Sequence, residues 1–161
     1  MVMLMGGNDA TVLPGITDYT LLKLIAVIGT DLSSWKTEKH FVSWLKLCPI
    51  KNRSGKINKR FKDRYTTRGG QIFKEIAHSL IASKYIALGA FGRRLRNLKG
   101  SPVAIKAMAR KLAVLFYRLV TKGLEYTEKG IEAYEKQYQQ TKMRVIEKQL
   151  RKTGMRIVTA T

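Results

Sequence analysis

Between Lys51 and Gly70 a serine hydroxyl sits in a field of cations. The Ser54-Gly55 pair is set among Lys51, Arg53, Lys56, Lys59, Arg60, Lys62, Arg64 and Arg68, with Asp63 as the only acid. A serine attacks phosphorus when its proton is removed, when neighbouring Lys or Arg stabilise the charge building on the phosphoryl oxygens, and when the leaving sugar oxygen lies in line. The stretch therefore suits a phosphodiester backbone, with Ser54 as the candidate nucleophile and Arg53, Lys56 and Arg68 available for the charge. No residue identifies itself as the base for Ser54. By spacing alone a Ser-Gly pair in a basic loop is usually a turn, so these residues leave both readings open.

Other chemistries fare worse. Metal-dependent phosphodiester cleavage needs acidic ligands converging on one or two ions. Asp63 and Glu75 are the acids of the basic region, and the other nine are dispersed over the ends. His40 and His78 have no second ligand type at helical spacing, and a lone Cys48 offers neither a disulfide nor a metal pattern. Walker-type glycine loops and hydrolase nucleophile elbows are absent.

Apolar spacing indicates the elements that must position the serine. Leu13-Pro14-Gly15-Ile16-Thr17 reads as a tight turn, and Asp18 as the cap of a helix carrying Leu21, Leu22, Ile25 and Ile28 inward and ending at Gly29. Such an entry resembles a helix-hairpin-helix, whose backbone N–H groups hold phosphate. Residues 37–47 read as a short helix burying Phe41, Trp44, Leu45 and Leu47, stopped by Pro49. Residues 53–64 alternate loosely and support at most a small hairpin. Thr67 caps the next helix, which has Ile72, Phe73, Ile76, Leu80 and Ile81 at helical spacing. Gly89 and Gly92 bracket an expected break before a short basic segment from Arg93 to Lys99. Ser101-Pro102 then opens a helix as N-cap and first helical residue, burying Met108, Leu112, Leu115, Phe116 and Leu119 as far as Lys122. Beyond Gly123 a long helix carries Ile131, Tyr134, Tyr138, Val145 and Leu150 along one side. The expected fold is all-α with about six helices. A flexible start at 1–10, a domain over 11–123 and a helical arm with tail over 124–161 divide the chain.

Charge names the partner class. Thirty-one Lys and Arg against eleven Asp and Glu give a net charge of +20. No acid occurs between Glu75 and Glu125, where Arg93, Arg94, Arg96, Lys99, Lys106, Arg110, Lys111, Arg118 and Lys122 fall. These cations span several elements and lack the continuous apolar face of a membrane-surface helix, so nucleic acid is the expected polyanion. With no long apolar run and one cysteine, an intracellular, non-membrane protein is expected.

From Leu13 onward the chain resembles the C-terminal domain of the insertion sequence 110 family transposases, relatives of the Piv and MooV DNA invertases. Leu13-Pro14-Gly15-Ile16 resembles the family's entry turn, and Phe41 to Pro49 its "F-x-x-x-x-G-L-x-P" segment. Ser54-Gly55-Lys56 matches its Ser-Gly motif, Thr67-Arg68-Gly69-Gly70 its "K-R-G-N" turn, and Ala107 to Leu112 its "A-x-A-R-K-L" helix. Two positions depart: Thr17 stands where the family has a second turn glycine, and Lys46 where it has the glycine before leucine.

The resemblance implies more than the residues do. Family members pair an N-terminal RuvC-like domain, whose carboxylates bind a divalent metal such as Mg, with a C-terminal domain whose serine forms a 5′-phosphoserine link to DNA. They are guided by a structured bridge RNA and act as homo-oligomers. Carried over, the serine is Ser54, and nucleic acid is expected on Lys51, Arg53, Lys56, Lys59, Arg60, Arg64, Arg68, Arg110 and Lys111. No cofactor is expected on this chain itself, because the RuvC-like half is not in it; a fragment or truncated product in the bacterial cytoplasm, associated with the nucleoid, is the expectation. The competing reading is a non-enzymatic basic helical module that binds DNA or RNA.

Overall fold

The computed structural model describes residues 7–48, 53–54, 57–58, 66–83 and 87–153. After a 3-10 turn at Ala10–Val12 come α1 (Asp18–Ile28), α2 (Glu38–Trp44), strands β1 (Arg53–Ser54) and β2 (Ile57–Asn58), α3 (Arg68–Ala82), α4 (Ala87–Lys99), α5 (Ser101–Lys122) and α6 (Leu124–Thr153). The fold is all-α, and among the described residues its one extended feature is the two-residue antiparallel ladder of β1 and β2.

α5 is the hub. It packs against α2, α3, α4 and α6, and the 3-10 turn closes on it. Met108, Leu112, Leu115, Phe116 and Leu119 are all buried, as their spacing predicts. Phe116 meets Phe73 of α3 edge-on, with ring centroids 5.7 Å apart, and Phe41 of α2 at 6.4 Å. Three fully buried rings from three helices thus form the centre, each contributing area whose removal from water stabilises the fold by about 2–3 kcal/mol. The periphery is tied by an ion pair: Glu38, at the first turn of α2, accepts from Arg118 Nε at 2.5 Å and from Nη2 at 2.6 Å. That pairing lowers the Glu38 carboxyl pKa below its ordinary value. Tyr117 Oη also donates to the Trp35 carbonyl at 2.5 Å.

Several expectations are refined by packing. Thr17, not Asp18, is the N-cap of α1: its side chain accepts from the Thr20 N–H while Thr20 Oγ1 accepts from the Thr17 N–H. This capping box satisfies the Thr17 and Thr20 N–H groups, two of the donors a helix-hairpin-helix would offer to phosphate. Leu24 is buried where Leu22 was expected, and Leu22 is exposed. Trp44 is likewise partly exposed. α5 begins after Gly100 as N-cap at φ 87°, placing Ser101 and Pro102 at the first two helical positions. The Ser101 hydroxyl is therefore not the cap.

The largest correction concerns Gly89 and Gly92. They do not bracket a break; α4 runs through both. A Cβ at Gly92 would stand 2.5 Å from Ile81 Cγ1 and 3.0 Å from Met108 Cγ, and one at Gly89 would overlap the Leu80 carbonyl. Glycine is required there because three helices meet too closely for a side chain, and that gain outweighs its low helix propensity.

α6 touches α5 and α4. Val145, expected on its buried side, is 52% exposed, while Tyr138 and Leu150 are half-covered. The side chains of Ile131 and Tyr134 lie outside the described residues. Among the described residues no helix is long and apolar enough to cross a membrane.

Candidate nucleic-acid interface

The Ser54 segment leaves the helical body at the end of α2 and returns at the start of α3, and these two points are pinned together. α2 stops in a Schellman motif: the Lys46 N–H donates to the Ser43 carbonyl at 3.0 Å and the Leu47 N–H to the Val42 carbonyl at 3.1 Å. The residue at the turn, Lys46, adopts φ 57°. Here lies the physical reason for a glycine before leucine in the pattern this segment resembles: the position is left-handed, and the following Leu47 packs inward with Val42. Lys46 fills it at a conformational cost and with its side chain exposed.

α3 begins at the same place. Thr67 caps it, its Oγ1 accepting from the Gly70 N–H at 3.1 Å and donating to the Leu45 carbonyl at 3.3 Å. Gly69 and Gly70 are buried, and a Cβ at Gly70 would overlap the Leu45 carbonyl oxygen. The Thr-Arg-Gly-Gly turn thus lets the first turn of α3 lie directly on the C-terminus of α2. Lys74 Nζ donates to Thr66 Oγ1 at 2.6 Å and steadies the last described residue before the cap. Arg68, the first residue of α3, is exposed at this junction beside Lys46 on the other limb.

Between the limbs, β1 and β2 pair antiparallel with Arg53 opposite Asn58 and Ser54 opposite Ile57. Neither strand packs against a helix among the described residues. Ser54 thus lies on this ladder, between the two pinned limbs in the order of the chain. Lys51, Lys56, Lys59, Arg60 and Arg64 lie outside the described residues, as do the side chains of Arg53 and Ser54.

The remaining basic residues divide by function. Arg110 is exposed on α5. Lys111 is half-buried, with Nζ 5.1 Å above the Phe91 ring, and burial pushes its pKa down to about 8. Arg93 donates to the carbonyls of Ile81 and Ser83 and so closes the C-terminus of α3. Arg118 serves Glu38. Two cations of the acid-free stretch are thus structural, whereas Arg94, Arg96 and Lys99 stay exposed on α4. His40 and His78 are exposed, and among the described residues no group of three His, Cys, Asp or Glu could hold a metal ion. The described donor set thus does not fit a divalent cation.

Sequence reasoning missed the pin between Thr67 and Leu45, a contact 22 residues apart. The adjacent buried glycines were its signal, since two glycines opening a helix need a packing reason. The entry turn has a similar logic. The Ile16 N–H donates to the Leu13 carbonyl at 3.1 Å, with Pro14 and Gly15 at the corner and Gly15 at φ 81°. A Cβ at Gly15 would also stand 2.9 Å from Ile76 Cγ2, which locks the turn onto α3.

These local devices fall within one matched segment. Residues 10–88 match the model of the Transposase IS116/IS110/IS902 family, a span that contains the entry turn, the Schellman cap, the Ser54 hairpin and the pinned start of α3. Ala107 to Leu112 lies outside the match. No curated protein and no solved structure matches the chain. The segment from residue 10 to residue 88 is thus similar to the IS116/IS110/IS902 transposase family.

Proposed function

We propose that this chain supplies the serine nucleophile of a DNA transposase. What carries the reading is Ser54 on the β1–β2 ladder of a basic stretch, lying in sequence between the paired Leu45 and Thr67, inside the transposase-family segment. In the step proposed, Ser54 Oγ attacks the phosphorus. The Oγ–P bond forms as the P–O3′ bond breaks, the serine proton passes to a base, and O3′ leaves with a proton as a free hydroxyl, giving a 5′-phosphoserine. Arg53, Lys56 and Arg68 offset charge on the phosphoryl oxygens, while Lys51, Lys59, Arg60 and Arg64 engage flanking phosphates and the exposed Arg110 a more distant one. The carboxylates and divalent metal that the family implies would come from a RuvC-like partner domain, and the target from a structured guide RNA. A homo-oligomer is part of the same reading.

The test is covalent capture. With cognate DNA, guide RNA and the acidic domain supplied, the native sequence should yield a protein–DNA adduct that survives denaturation, and Ser54→Ala should yield none. An adduct from Ser54→Ala would refute the nucleophile. Salt-sensitive DNA binding without any adduct from the native sequence would favour a non-enzymatic basic module.

A further inference from the structure

We infer that Trp44 is a stacking platform for an unpaired nucleobase at the foot of the Ser54 segment. The inference rests on the nucleic-acid reading above and adds a site to it. Trp44 is the last residue of α2 and remains 39% exposed. Its ring lies 4.9 Å from that of Trp35 and 6.5 Å from that of Phe41, almost parallel to the latter at 20°. Phe41 is itself fully buried against Phe73 and Phe116. Trp44 is therefore backed by a rigid aromatic stack while part of its own surface stays open to solvent.

The surrounding charge selects the occupant. Lys36, Lys39 and Lys46 are exposed around the same short helix. None forms a salt bridge with a described carboxylate, and Glu38, the acid of that helix, is taken by Arg118. A partly open aromatic on a helix whose lysines are exposed disfavours a basic partner and suits a base with phosphates on either side. Bases paired within a duplex present no free face, so the occupant is a single-stranded nucleotide segment. Lys46 also marks where the Ser54 segment leaves the helical body.

Fluorescence anisotropy with labelled 12-nucleotide oligo(dT), 12-nucleotide oligo(rU) and a 12-base-pair duplex tests this. Trp44→Ala should weaken both single strands about tenfold and leave the duplex within about twofold, because one base–aromatic stack is lost and the phosphate contacts remain. Trp44→Phe should retain most of the affinity. Quenching of tryptophan emission by oligo(dT) should be present in the native chain and lost in Trp44→Phe, which reads the contact even if Trp44→Ala fails to fold. The tighter of the two oligonucleotides assigns the natural strand as DNA or RNA. Equal weakening of single strand and duplex, an unchanged single-strand affinity, or absence of quenching overturns the platform. Duplex binding with a silent Trp44 sinks this inference alone, whereas no binding to any of the three removes the nucleic-acid reading with it.

Discussion

Gly70→Ala probes whether the Ser54 segment is pinned as described. The added methyl would overlap the Leu45 carbonyl oxygen and stand 3.1 Å from Thr67 Oγ1 and 3.2 Å from Thr66 Cγ2. The first of these neighbours is backbone, so it cannot swing aside as a flexible side chain would. Relief requires the end of α2 and the start of α3 to part, which breaks the Thr67–Leu45 hydrogen bond and loosens the cap on the Gly70 N–H. Overpacking costs about 2 kcal/mol, and the lost bond and weakened cap add about 1 kcal/mol each. Alanine recovers about 1 kcal/mol over glycine by helix propensity. The net destabilisation is about 3 kcal/mol, which for a chain of this length lowers Tm by roughly 9 °C. Thermal denaturation followed by circular dichroism measures it, with the exposed neighbour Gln71→Ala as the control, expected within about 0.5 kcal/mol of native. A Gly70→Ala protein melting at or above the native temperature would refute the close approach of α3 to Leu45, because propensity alone would then decide the outcome.

Two further outcomes follow from local geometry. Lys46→Gly should stabilise the fold by about 1 kcal/mol in chemical denaturation, since glycine relieves a left-handed backbone that a side chain disfavours; a loss of stability would mean that the lysine side chain contributes more than its backbone costs. Glu38→Gln should cost about 1 kcal/mol at neutral pH through the bidentate pair with Arg118. Because the native carboxyl pKa is lowered, that contribution is present above the unfolded carboxylate range and is lost as pH falls through the native value. The native and Glu38→Gln denaturation curves should therefore converge in acid. A difference that persists undiminished at low pH would show that the ion pair is not its source.

Much of the fold is legible in the residues themselves. Apolar spacing placed the buried faces of α3 and α5 residue for residue, because a helix with one dry side must repeat its large side chains every three or four positions. Thr67 caps a helix start, and Gly29 and Gly123 end helices, where their side-chain or backbone chemistry says they should. The Ser54-Gly55 pair, its cations and the turn motifs on either side are local patterns, and they pointed to the transposase family before any contact was known. Glycine was the ambiguous letter. Gly89 and Gly92 read as a break, yet they sit in a continuous helix, since whether a glycine ends an element or admits a neighbour depends on what lies opposite.

What only the tertiary structure decided is which cations and aromatics are free to act. The composition counts Arg93, Arg118 and Lys111 alike with the exposed Arg110, but folding spends Arg93 on the end of α3 and Arg118 on Glu38, and half-buries Lys111 over Phe91. It also leaves Trp44 open where a buried ring was expected. The reason is common to all of these: partners 10 to 80 residues apart in the chain are set by how helices cross, and no local pattern encodes that. Sequence alone determined that a basic, helical chain carries a serine suited to a phosphodiester. The clamp between Leu45 and Thr67, which sets that serine's segment on a rigid base, exists only because two glycines let α3 lie against the end of α2.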